Sequence, residues 1–107
     1  RTVQADSTMD EALTIATANQ YTAYGRQLIT QKRVDRAMDI FRASEKRYGD
    51  MYGVNNGLMS GYSAKGDFKN AIKHAEKAMA QAPGEAAKKQ IEEYIKKLKD
   101  GKDINQP

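Results

Sequence analysis

A 34-residue register runs through the middle of this chain and limits what it can become. Ala37 and Ala71 stand at that spacing, and Tyr24/Leu58, Leu28/Tyr62, Val34/Phe68 and Met38/Ile72 fall into line with them. That length suits one pair of antiparallel helices, and such a pair can cover its apolar face only against a neighbouring pair. The register therefore points to an all-α chain of stacked helical hairpins before any single helix is assigned.

The local pattern agrees. Thr8-Met9-Asp10-Glu11 has the Thr-x-x-Glu form of a capping box, so a helix is expected over residues 8–17, with a break near Thr17 to Asn19 where weak helix formers cluster. Tyr21, Tyr24, Leu28 and Ile29 form one apolar stripe, and Val34, Ala37, Met38 and Phe41 form the next, up to Gly49. Leu58 and Tyr62 lead into Gly66-Asp67, and Phe68, Ala71, Ile72, Ala75 and Ala78 follow as far as Pro83. Ala87, Ile91, Tyr94, Ile95 and Leu98 then share one face of a final helix, as a covering element requires.

Composition closes off several functions. The 107 residues contain no cysteine, so disulfides and thiolate metal sites are excluded and the redox compartment is not legible. No apolar run reaches the ~20 residues that span a bilayer. The net charge of +4 mildly favours acidic partners, yet the six lysines between Lys88 and Lys102 alternate with Glu92, Glu93, Asp100 and Asp103. That mixture describes a solvated helix face, so no nucleic-acid partner is expected. The chain begins at Arg1 with no apolar leader after it, which reads as a processed chain or a piece of a longer one.

Gly61-Tyr62-Ser63-Ala64-Lys65-Gly66-Asp67-Phe68, followed by Ala71, Ala78 and Pro83, resembles a tetratricopeptide repeat, and Tyr24-Gly25, Ala37 and Phe41 resemble a more degenerate one. Lys32-Arg33 replaces the Gly-Asp of the turn in the first unit. In the second, Met59 stands where the family has glycine and Ala75 where an aromatic is usual. The resemblance implies a right-handed stack of antiparallel helical hairpins: residues 8–17 as an N-terminal helix, 18–51 and 52–85 as repeats, 86–99 as a capping helix and 100–107 as a polar tail. The end of the chain, from Gln81-Ala82-Pro83 through Lys99 to Asn105, is also similar to the C-terminal helical region of secreted Bacteroidetes proteins that carry a domain of unknown function. That likeness implies an exported, periplasmic or secreted, accessory module.

From the repeat resemblance comes a shallow, neutral groove for a protein or peptide, lined by Asn19, Thr22, Arg26 and Ile29 from the first unit and Asn56, Ser60 and Ser63 from the second. Tyr52, beside the turn at Gly49-Asp50, is a further candidate anchor, as is Tyr48. The alternative is a brace that supports a neighbouring domain or self-associates. No enzyme is expected: His74 is the only histidine, placed by its lysine neighbours on an outer face, and the residues form no nucleophile–base pair, metal set or cofactor motif. Gly53, Gly57 and Gly61 recur every four residues and predict close approach of either a neighbouring helix or a bound segment.

Overall fold

The computed structural model describes residues 17–106. They form five helices: α1 (Ala18–Thr30), α2 (Val34–Tyr48), α3 (Tyr52–Ala64), α4 (Phe68–Gln81) and α5 (Glu85–Lys99), with no strand among the described residues. The capping box at Thr8 and all of the helix expected over residues 8–17 except Thr17 lie outside them. Consecutive helices are separated by three residues, which leaves room only for an antiparallel return.

Local chemistry sets the ends. Thr17 caps α1 reciprocally with Gln20: the Gln20 amide donates to the threonine Oγ1 at 3.4 Å and the Thr17 amide to Gln20 Oε1 at 2.8 Å. Asp67 caps α4 by accepting from the Asn70 amide. The C-termini of α1, α3 and α5 end in the same way. The amides of Lys32 and Arg33 donate to the carbonyls of Ile29 and Leu28, those of Gly66 and Asp67 to Ser63 and Tyr62, and those of Gly101 and Lys102 to Leu98 and Lys97. These are Schellman caps, which require a left-handed residue. Gly66 and Gly101 supply it at φ 80° and 72°, whereas Lys32 is forced to φ 64°.

Helix α3 is the centre of the molecule. It lies close to α1, α2 and α4 but hardly touches α5. Val54 and Leu58 join Tyr21, Leu28, Ile29, Met38 and Phe41 in one core cluster, while Met59 joins Ala71, Ala75, Ala78, Ile91 and Leu98 in a second. A helix buried on both sides has little room for charge, and α3 carries no charged residue.

The glycines explain why α3 fits so tightly on one side. A Cβ at Gly57 would stand 2.7 Å from Phe41 Cδ1 and 3.0 Å from Thr22 Oγ1; one at Gly25 or Gly61 would collide with the Phe41 ring, and at Gly61 also with Met38 Sδ. The ring of Phe41 thus occupies space that three side chains have vacated. One repeat length further on, the arrangement inverts: Met59 stands for Gly25, Ala75 for Phe41, and Ile91 and Ile95 on α5 for Gly57 and Gly61. Volume removed from one helix is returned on its neighbours, which preserves density. Around these isoleucines α5 makes little close approach to α3, and the end of the chain lies against both the second cluster and α3.

Candidate functional site

After the Gly101 cap, residues 103–106 form a turn closed by the Gln106 amide on the Asp103 carbonyl. Asp103 Oδ1 accepts from the Asn105 amide at 2.9 Å and from Asn105 Nδ2 at 2.7 Å, an Asx turn. The turn is fastened to α3. Ser63 donates its hydroxyl to Asp103 Oδ1 at 2.7 Å and accepts from the Ile104 amide at 2.8 Å, and Asn105 Nδ2 donates to the Ser60 carbonyl at 2.9 Å. Ile104 packs against the second core cluster.

The residues proposed for the groove have separate fates. Ser63 is 1% exposed and wholly committed to the tail, and Ser60 is equally buried, its hydroxyl accepting from Arg26 Nε at 3.1 Å. Thr22 is buried and donates to the Gly53 carbonyl at 2.8 Å, so it joins α1 to α3. Ile29 belongs to the first core cluster. Asn19 is exposed, with its Oδ1 beside Gly53, and Arg26 is exposed, while Asn56 and Tyr52 are half-buried. Tyr52 leans on the second cluster; Tyr48, also half-buried, meets Tyr21 edge-on at 5.9 Å. Beside the docked tail, Arg26, Thr30, Ser60, Tyr94, Ile104 and Asn105 surround an open cleft of about 240 Å³ with no carboxylate in its lining.

Burial raises the Asp103 carboxyl, but the hydrogen bonds from the Asn105 amide, Ser63 and the Asn105 side chain outweigh it and hold the group below its ordinary range. The aspartate is therefore ionised in its docked position.

A second polar cluster was not legible as such. His74, expected on the outer face, is only 9% exposed, its ring stacked on Tyr62 at 5.5 Å and its Nδ1 2.9 Å from Asn55 Oδ1. Asn55 Nδ2 donates to Asp50 Oδ1 and to Gln81 Oε1, and Gln81 Nε2 returns to Asp50. Since the Asn55 amide already donates through nitrogen, its oxygen accepts and His74 Nδ1 carries the proton. The signal that finds this burial is the register: His74 stands one repeat after Ile40, which is buried in the first cluster. The lysines on either side suggested a solvated face, but the helical position, not its neighbours in sequence, decides what a side chain meets.

Among the described residues no three His, Asp or Glu side chains are placed to hold a metal, and no helix is long and apolar enough to cross a membrane. The lysines of α5 lie among acids, with i,i+3 contacts of 3.8 Å for Lys88–Glu85 and 3.9 Å for Lys96–Glu93. No family model, curated protein or solved structure matches the chain.

Proposed function

We propose that this chain is a tetratricopeptide-like interaction module that holds a short protein segment on the face shared by α1, α3 and α5. The observation that carries the reading is the docked tail. A turn of four residues is held there by side-chain and backbone bonds to Ser60 and Ser63 and by the half-buried Ile104, so the surface offers both polar and apolar holds to a short segment. Arg26 adds a cation at the edge of an acid-free cleft, which favours a ligand bearing a carboxylate. The exposed or half-buried positions Asn19, Arg26, Tyr52 and Asn56 remain for contact.

The rival reading is a structural brace without an external ligand. It draws on the internal use of Thr22, Ile29, Ser60 and Ser63. Selection from a random peptide library separates the two, with amide shifts mapped on the intact protein. Binding predicts enriched acidic peptides that perturb Asn19, Arg26 and Asn56 and lose affinity in Arg26→Glu. A library with no enrichment, together with a concentration-dependent dimer in sedimentation, would establish the brace instead.

A further inference from the structure

We propose that the trough between α3 and α5 is a receptor site for a turn-forming aspartate–aliphatic–asparagine segment of a partner protein, and that Asp103, Ile104 and Asn105 keep it closed in the free chain. The inference rests on the peptide-binding reading above and specifies its ligand and its control.

Three observations support it. The helix framework itself leaves α3 and α5 without close approach, and Ile91 and Ile95 stand at the positions that correspond to Gly57 and Gly61 of α3. The fastening is selective. Ser63 offers one donor and one acceptor, and the tail meets both, with a carboxylate and the amide of the next residue, while the Ser60 carbonyl takes the carboxamide two residues after the aspartate. The aliphatic side chain between them is half-buried against the second core cluster. The occupant is also joined to α5 through Gly101 and Lys102 alone, both exposed, and Gly101 provides the left-handed joint. A segment so tethered competes with a free ligand at an effective concentration on the order of millimolar.

A partner segment with the same three side chains and an open tail would find Ser60, Ser63 and the apolar floor ready. If its aspartate were replaced, the Ser63 hydroxyl would lose its acceptor; without the carboxamide, the Ser60 carbonyl would lose its donor. The recognition rule is therefore Asp, then an aliphatic residue, then Asn, presented as an Asx turn.

The test uses the full chain, an Ile104→Asp variant, and an acetylated, fluorescently labelled Lys-Asp-Ile-Asn-Gln peptide, followed by anisotropy and by amide shifts. The variant should bind the peptide with shifts at Ser60 and Ser63, at least roughly tenfold more tightly than the unaltered chain because the tethered competitor is gone. Peptides with alanine for Asp or for Asn should bind no better than a scrambled control. A folded variant that ignores the peptide, equal binding by the two chains, or equal binding by the alanine peptides overturns the proposal. Hydrogen exchange on the unaltered chain decides the matter independently of the variant's folding. The Ile104 amide should exchange at least about a hundredfold faster than the amides of Leu58 and Met59, through local opening. Exchange of all three at one rate would make the tail a permanent part of the core and sink the idea. A dimer that forms with concentration and disappears in Ile104→Asp would make the occupant a second copy's tail, against a separate partner. Library peptides that shift Asn19 and Arg26 without disturbing Ile104 would preserve the broader binding reading and overturn this one.

Discussion

Lys32 carries the clearest local strain in the described chain. It holds the left-handed position of a Schellman cap at φ 64°, where the second unit has Gly66 at φ 80°. A side chain in that conformation is disfavoured by roughly 1–2 kcal/mol, and glycine's greater freedom in the unfolded chain offsets roughly 0.4–1 kcal/mol of the relief. Lys32→Gly should therefore stabilise the protein by about 0.5–1 kcal/mol, read as a higher urea midpoint at unchanged slope. An unchanged or lower midpoint would show that the cap tolerates lysine without strain. Ser44 offers a second test. It is 1% exposed and its hydroxyl has no hydrogen-bond partner among the described residues, while Ala78, one repeat later, is fully buried. A buried hydroxyl without a partner is destabilising by about 1–3 kcal/mol, so Ser44→Ala should raise the midpoint by an amount equivalent to about 1 kcal/mol. A loss of stability would mean that the hydroxyl has a use in the folded chain.

At the scale of helices, the two core clusters solve one packing problem in opposite ways. Phe41 lies among Gly25, Gly57 and Gly61, and Ala75 lies at the matching place among Met59, Ile91 and Ile95. Gly25→Met should be severely destabilising, because the Phe41 ring already occupies the site of its Cβ. Phe41→Ala should lose about 3–5 kcal/mol, near the upper end because glycines have no side chains with which to close the cavity. Combined, the two changes recreate the Met59/Ala75 solution, and a double-mutant cycle should show a favourable coupling of about 1–3 kcal/mol. Additive losses would mean that the surrounding helices, not this pair, set the fit. The all-helical content was legible because the apolar stripes around Ala37 and Ala71 recur at helical spacing. The glycine run was legible as close approach for the same reason. The docked tail was not: Ile104 is one aliphatic residue in a polar stretch, and its place depends on bonds to Ser60 and Ser63 of a helix about forty residues away in sequence. Ser60 and Ser63 stand out by their place on the groove side, but what they hold depends on long-range contacts that the pattern of single positions does not contain.

Across the whole molecule, acid should act in one direction. Burial depresses the pKa of His74, with Lys77 adding to the effect and Glu45 opposing it. Asp50 is held low by Asn55 and then Gln81, Asp67 by the Asn70 side chain and then its amide, and Asp103 by the bonds that overcome its burial. For all four groups the unfolded chain binds protons more readily than the folded one, so stability falls as the pH falls. The His74 contribution is complete above the ordinary histidine value of 6.5 and is lost as the pH drops from there towards the folded value. The aspartate contributions are complete above 3.8 and disappear as the pH passes through their lower folded values. The first loss belongs to the Asn55 network, which joins the turn at Asp50 to α3 and α4, and the second includes the tail latch. Urea midpoints should therefore be level above about pH 7, decline as the pH falls below about 6.5, and decline again below about pH 4. His74→Gln removes the titrating ring while retaining a donor for Asn55, and should be less stable at pH 7 but free of the first decline. A variant with the same slope below pH 6.5 as the unaltered chain would place the acid sensitivity elsewhere, and a midpoint that rises on acidification would reverse the sign assigned to the buried imidazole.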